Sequence, residues 1–204
     1  MFDYETKHQN LGKNLICGID EVGRGPLAGC VTACAIIMPL DDIIEGINDS
    51  KKLTEKKREE LYEKIISKTI AWQIGEVDNL EIDRINILNA TKLAMKNAVK
   101  NLQIKPDVLL IDAVKLDIDI EQENIIRGDE LSYSIACASI VAKVTRDRIM
   151  MQLAQNYPEY GFEKNKGYGT KEHIDALQKY GACEIHRQTF IKNYKLQITN
   201  YKCG

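Results

Sequence analysis

Apolar and polar positions change period several times along this chain, and each change marks an element. Residues 15–19 are a short apolar run ending at Asp20-Glu21; Gly23-Arg24-Gly25-Pro26 follows, and residues 30–38 are again apolar and rich in β-formers. That pattern predicts a strand, a glycine-rich reversal and a second strand. In residues 55–67, Leu61, Ile65 and Ile66 fall on one helical face, with Thr54 in place to cap the helix. Residues 70–77 predict a third strand. Ile85, Leu88, Met95, Val99 and Leu102 recur at helical spacing and predict one helix over 81–102, with Pro106 as its breaker. Val108-Leu109-Leu110-Ile111 is uninterrupted, as in a strand buried on both faces, and it stops at Asp112. Residues 124–127 form a short edge-like run ending at Gly128-Asp129, and one long helix is expected over 130–156. From Tyr157 onward Tyr, Lys and Gly become more frequent, with a helix over 171–180 stopped by Gly181.

Early strands with interspersed helices predict an α/β fold, a mixed central sheet with helices on its faces. Residues 1–156 would form the main domain and 157–204 a short helical extension packed on it. The 44% hydrophobic and 28% charged content excludes a disordered chain, a collagen-like repeat and a bare disulfide scaffold. A net charge of −2 argues against coating nucleic acid by charge alone, so a polyanion would be held by local basic patches or by metal ions on carboxylates. The apolar stretch 33–38 is far short of the ~18 residues that span a bilayer, and the polar opening does not resemble a signal peptide. Six cysteines without that signal, no CxxC pair and three widely separated histidines disfavour disulfides and zinc. A reduced, soluble, cytoplasmic chain with no membrane partner is expected, and nothing demands more than a monomer.

Strand or loop ends finish in carboxylates at Asp20-Glu21, Asp112 and Asp129. Side chains at the ends of neighbouring strands can converge outside a sheet, where ligands bind. Carboxylates so gathered raise one another's pKa, and hard divalent cations, Mg²⁺ or Mn²⁺, relieve the conflict. An acid of this kind taken singly is usually a turn former or helix cap, and Asp129 could cap the helix that follows it. Asp20 and Glu21 are neighbours in a strand and point to opposite faces unless the backbone departs from regular geometry.

Gly18-Ile19-Asp20-Glu21-Val22-Gly23-Arg24-Gly25-Pro26-Leu27-Ala28-Gly29 resembles the signature opening of ribonuclease HII, the bacterial type 2 ribonuclease H. The resemblance continues in family order through Asn48-Asp49-Ser50-Lys51-Lys52-Leu53, Leu110-Ile111-Asp112 and Gly128-Asp129. Ser134-Ile135-Ala136-Cys137-Ala138-Ser139-Ile140-Val141-Ala142-Lys143-Val144-Thr145-Arg146-Asp147 and Lys166-Gly167-Tyr168-Gly169-Thr170 complete it. Cys30 and Cys137 stand where proline and alanine are usual, both in apolar settings. The resemblance implies an RNase H-like fold, cleavage of RNA in RNA–DNA hybrids, and incision at single ribonucleotides in duplex DNA. It implies Asp20, Glu21, Asp112 and Asp129 as metal-binding carboxylates for Mg²⁺ or Mn²⁺. Gly23, Arg24 and Gly25 match its ribonucleotide-reading loop and Tyr168 its junction-sensing tyrosine; Ser50, Lys51, Ser139 and Lys143 match phosphate-contacting regions.

Glycine lets a backbone approach a sugar closely, and the 2′-hydroxyl is the group that separates ribose from deoxyribose. Arg24 can hold a phosphate in a fork. Ser139, Lys143 and Arg146 follow i, i+4, i+7 spacing and share a face that suits a phosphate track, although a charged stripe is more often only a solvated face; Lys51, Lys52, Lys56, Lys57 and Arg58 form a second basic cluster. Two further readings stand beside the nuclease: a hybrid-binding module without turnover, and a nuclease acting on all-DNA branched structures. His173 and His186 have no spacing that supports a catalytic base.

Overall fold

The computed structural model describes residues 1–194; Cys203 and the end of the 157–204 extension lie outside them. In chain order the elements are α1 (Asp3–Asn10), β1 (Ile16–Val22), β2 (Val31–Ile37), a 3₁₀ turn (Ser50–Lys52), α2 (Glu55–Lys68) and β3 (Ala71–Val77). They continue with α3 (Asn79–Ile85), α4 (Ile87–Lys100), β4 (Val108–Asp112), β5 (Gln122–Ile125), α5 (Gly128–Leu131) and α6 (Tyr133–Asn156). After a 3₁₀ turn at Pro158–Tyr160 come α7 (Phe162–Asn165), α8 (Lys171–Tyr180) and α9 (Gln188–Ile191).

Among the described residues the strands form one sheet in the order β3-β2-β1-β4-β5. β1, β2 and β3 are antiparallel neighbours, whereas β4 runs parallel to β1 and β5 parallel to β4. α4 covers one face, its Ala90, Ala94, Met95 and Ala98 meeting Cys17, Ile19, Ala33 and Ala35. α6 and α2 cover the other, with Ala136, Ile140, Leu61 and Ile65 against Cys34 and Ile36. α6 lies so close to β1 that a Cβ on Gly18 would stand 2.2 Å from the Ser134 carbonyl. Only a residue without a side chain permits that crossing.

Two expected helices are each divided. The 81–102 segment is α3 and α4, separated at Asn86, whose φ of 67° is left-handed and whose side chain caps Asn89 N–H. A helix cannot pass through that conformation, although the apolar spacing continues across it. The 130–156 segment begins with α5, and α6 starts afresh at Ser132, whose hydroxyl accepts from Ile135 N–H at 3.2 Å. Asp129 sits inside α5 and caps nothing. Thr54 does cap α2, and Gly181 ends α8. The cysteines among the described residues are unpaired, and no helix there is long and apolar enough to cross a membrane.

Candidate active site

β1 is the central strand, and its last residues emerge beside the end of β4. The parallel pairing runs to Ile19–Ile111, so Asp20 and Asp112 are the next residues on adjacent strands. Register with β2 remains regular through Val22, opposite Thr32, so the backbone does not depart from strand geometry there and Asp20 and Glu21 keep to opposite faces. Glu21 nonetheless feels the Asp112 charge because β4 stops at Asp112 and covers β1 no further.

Asp20 is buried; its Oδ1 accepts from Glu21 N–H at 2.8 Å, and the Ser139 hydroxyl lies close enough to favour its charged form. Ser139 Oγ in turn meets Ser50 Oγ at 2.8 Å. Burial, then the Glu21 charge, push the Asp20 carboxyl well above the usual carboxylate range, with Asp112 adding and Ser139 opposing. Burial raises Glu21 too, partly offset by Arg24, whose Nη1 lies 3.3 Å from Glu21 Oε1. Glu21 Oε2 is buried with no partner. Burial also raises Asp112, against the pull of Gly128 N–H, which donates to its Oδ1 at 2.8 Å. Ala113 and Arg127, beside Asp112 and Gly128, are left-handed at φ 51° and 60°, strain of the kind that collects at functional sites. Asp129 is buried, and its Oδ2 accepts from Lys51 Nζ at 3.0 Å.

The acids therefore sense one another in a chain, Glu21 and Asp20 to Asp112 and Asp112 to Asp129, with a cation at each end. Among the described residues no three His, Cys, Asp or Glu side chains are grouped so as to hold an ion. Arg24 draws Glu21 one way and Lys51 draws Asp129 another, which is what like charges with two mobile counter-ions favour. The donor set is nonetheless all oxygen, one of those oxygens is orphaned, and positive charge already sits against the outer acids, so the residues suit a hard divalent cation.

The basic residues divide. Lys51 is at the acids. Ser50 and Ser139 are buried and bonded to each other rather than facing solvent, with Ser139 beside Asp20. Lys143 is tied to Asp147 at 2.7 Å. Arg146 is not part of an exposed stripe: it is fully buried, and its guanidinium donates to the carbonyls of Cys30, Lys166 and Ala28. The i, i+4, i+7 spacing carries it to the inner side of α6, where the Gly23–Cys30 backbone leaves carbonyls unpaired. In the second basic cluster, Lys52 pairs with Glu130 and Lys57 with Glu60, while Arg58 holds the carbonyls of Ser50 and Leu53.

The Gly23–Arg24–Gly25 loop and Tyr168 are brought together. Tyr168 is 41% exposed, and a Cβ on Gly25 would lie 3.7 Å from its ring. Gly23 is left-handed at φ 90°, and a Cβ there would collide with Arg146 Nε at 2.2 Å. The C-terminal segment docks onto the residues after the loop: Leu27 N–H donates to Gly167 O, Gly29 N–H to Ile185 O, and Arg187 N–H to Leu27 O.

Behind Tyr168 stands a buried relay absent from any sequence pattern. His173 Nδ1 is 2.9 Å from Tyr168 O, His173 Nε2 is 3.0 Å from His186 Nε2, and Cys183 N–H donates to His186 Nδ1 at 3.0 Å. A carbonyl can only accept, so with both rings neutral His173 carries its proton on Nδ1 and His186 on Nε2, which leaves His186 Nδ1 bare to accept from Cys183 N–H. Burial lowers both histidines, His186 to about 4 with His173 adding to the effect. Arg187, in the same segment, is fully buried and has no pattern in the sequence to mark it.

Residues 17–193 match the family model described as Ribonuclease HII. Over 193 residues the chain is 58% identical to ribonuclease HII of Caldicellulosiruptor bescii, covering 94% of each chain. Over 192 residues it is 59% identical to ribonuclease HII of Acetivibrio thermocellus, covering 94% of this chain and 75% of that one. The solved ribonuclease H2 from Pyrococcus horikoshii OT3 superposes with a TM-score of 0.73 at 28% identity, over 85% of this chain and 92% of that one.

Proposed function

The chain belongs to the ribonuclease HII family, and from that premise we propose a metal-dependent endonuclease that incises 5′ to single ribonucleotides in duplex DNA. This goes beyond the hydrolysis of RNA in RNA–DNA hybrids that family membership gives it. One observation carries the proposal: buried Asp20 and half-buried Asp112 lie side by side on adjacent strands where β4 stops, and from the end of β1 the chain runs into the Gly23–Gly25 loop beneath Tyr168.

Asp20, Glu21, Asp112 and Asp129 would hold Mg²⁺ or Mn²⁺, Asp20 between the others because it lies on the central strand. When bound, a pair of such ions supplies an activated water, a neutralised phosphoryl group and a stabilised leaving oxygen. The protein's own part is to fix the oxygens. Ser139 and the Glu21 amide orient the Asp20 carboxyl, and the Gly128 amide orients Asp112. Lys51, exposed along its side chain, can exchange Asp129 for a substrate phosphate. The loop amides can meet a 2′-hydroxyl, and the exposed Tyr168 can stack its ring on the neighbouring deoxyribose while its hydroxyl approaches that 2′-hydroxyl. Water rather than the 2′-hydroxyl attacks, so the products carry 3′-hydroxyl and 5′-phosphate ends. Residues 157–204 serve as a substrate-contacting extension on a 1–156 catalytic domain.

The test is to map the cut on a labelled duplex containing one ribonucleotide, with Mg²⁺, with Mn²⁺ and with chelator. A single cut 5′ to the ribonucleotide, dependent on the ion and absent from all-DNA duplex, is expected. Turnover in chelator, equal cutting of all-DNA duplex, or binding without product would each overturn the proposal.

A further inference from the structure

Beneath the Gly23–Gly25 loop lie two arginines that are 0% exposed, Arg146 and Arg187. Their hydrogen-bond partners among the described residues are all backbone carbonyls. Arg187 Nη2 donates to Gly23 O at 2.6 Å and Cys30 O at 3.1 Å, Nη1 to Arg24 O at 3.0 Å, and Nε to Gly29 O at 3.0 Å. Arg146 donates to Cys30 O at 3.0 Å, Ala28 O at 3.3 Å and Lys166 O at 3.0 Å. Burial and then the Arg146 charge bring Arg187 down to about 10, which leaves it charged at neutral pH. Burying neighbouring cations without a directly bonded carboxylate is expensive, Asp83 and Asp147 acting only through their field, and apolar side chains fill space at lower cost. The arrangement calls for something only a guanidinium supplies.

What it supplies is carbonyl direction. A trans peptide is planar, so the carbonyl of one residue and the N–H of the next point opposite ways. With the Gly23 and Arg24 carbonyls drawn inward to Arg187, the N–H groups of Arg24 and Gly25 are turned outward. Neither N–H has a backbone partner among the described residues, and both residues are exposed. Tyr168 stands beside the same loop, its ring 3.7 Å from where a Cβ on Gly25 would lie.

We propose that Arg187, backed by Arg146, is a specificity-positioning residue: it sets the Arg24 and Gly25 amides toward the substrate before binding, and the distinction of ribose from deoxyribose depends on that setting. The proposal rests on the loop being the ribose reader. Preorganised donors lose least on binding, and lysine, a point charge without the planar fork, cannot hold the same carbonyls.

The experiment measures kcat and KM on a duplex with one ribonucleotide and the Ki of the matching all-DNA duplex as competitor, for the parent, Arg187→Lys and Gly25→Ala. Gly25→Ala is the control on the reader itself, since its methyl would make only ordinary contact at 3.7 Å. Arg187→Lys is expected to lower kcat/KM about 30-fold while Ki for all-DNA duplex stays within about threefold, with Gly25→Ala losing activity in the same way. Loss in Gly25→Ala alone leaves the reader standing and overturns the role of Arg187; loss in neither overturns the reader and the proposal with it. Loss in Arg187→Lys alone, or a Ki rising in step with KM, places the effect outside the loop and also overturns the proposal. Should Arg187→Lys not fold, Phe190→Leu takes its place: the Phe190 ring lies 5.1 Å from Arg187 Cζ, and its replacement keeps an apolar side chain. There a roughly threefold loss with unchanged Ki is expected, and no loss overturns the proposal.

Discussion

Asp20 carries two burdens. It stands where the chemistry needs an ionised oxygen, yet it is buried beside Glu21 and Asp112, which disfavour its charge. Asp20→Asn should therefore separate function from stability. Incision of a single-ribonucleotide duplex is expected to fall by roughly a thousandfold or more, with duplex binding largely kept. In chelator the same variant should melt a few degrees higher, a gain of about 1–2 kcal/mol from relieved repulsion. Retained turnover would refute the catalytic assignment, and a lower melting temperature would refute the electrostatic one. Tyr168 permits a milder test, since Tyr168→Phe removes only the hydroxyl. About a tenfold loss in kcat/KM on single ribonucleotides is expected, the scale of one hydrogen bond, and unchanged cleavage would remove Tyr168 from junction reading.

α6 connects several of these parts: it brings Ser139 to Asp20, Arg146 to the Ala28 and Cys30 carbonyls and Lys143 to Asp147. Its start is held from outside, because Glu5 in α1 accepts from the Ser132 hydroxyl at 2.6 Å and from Ser134 N–H at 2.9 Å. A carboxylate at that end also suits the helix dipole. Its distance from the sheet is set by Gly18, where a Cβ would lie 2.2 Å from the Ser134 backbone. Gly18→Ala must push α6 away from β1, and urea denaturation should register a loss of about 3 kcal/mol. Activity should fall further than stability alone accounts for, since Ser139 leaves Asp20 along with the helix. Stability within about 0.5 kcal/mol of the parent would show that the crossing tolerates a methyl.

For the molecule as a whole, the buried histidines couple folding to pH. Unfolded histidine takes up a proton near pH ~6.5, whereas His186 in the fold is held down to about 4 by burial and by His173. Between those values the unfolded chain binds more protons, so stability falls as pH falls, and above ~6.5 the contribution vanishes. The raised carboxyls Asp20, Glu21 and Asp112 act with the opposite sign, gaining protons in the fold first. Comparison with His186→Gln isolates the histidine. The stability advantage of the parent over that variant should shrink by on the order of 2 kcal/mol between pH 7 and pH 4.5, read by urea unfolding; parallel curves would show that the relay does not titrate as described.

The primary structure by itself determined β1 to β4, the Thr54 cap and the placing of Asp20 and Asp112 near strand ends, because period, capping and chain reversal are written over a few neighbouring residues; β5, Gln122–Ile125, begins ahead of the expected 124–127, and Asp129 falls in α5. It also carried the signal for the Ser132 break, a serine directly ahead of an apolar run, though the helical spacing on either side obscured it. Tertiary structure decided what those patterns cannot express. Arg146 looked like one of a surface stripe and became a buried donor to Cys30, 116 residues away; Arg187 reaches Gly23 across 164 residues; His173 and His186 meet at 3.0 Å. Such partners are chosen by which backbone carbonyls and ring nitrogens remain unpaired once the sheet and α6 are in place. That inventory exists only in the packed molecule, because burial is what makes an unpaired polar group costly enough to recruit a distant charge.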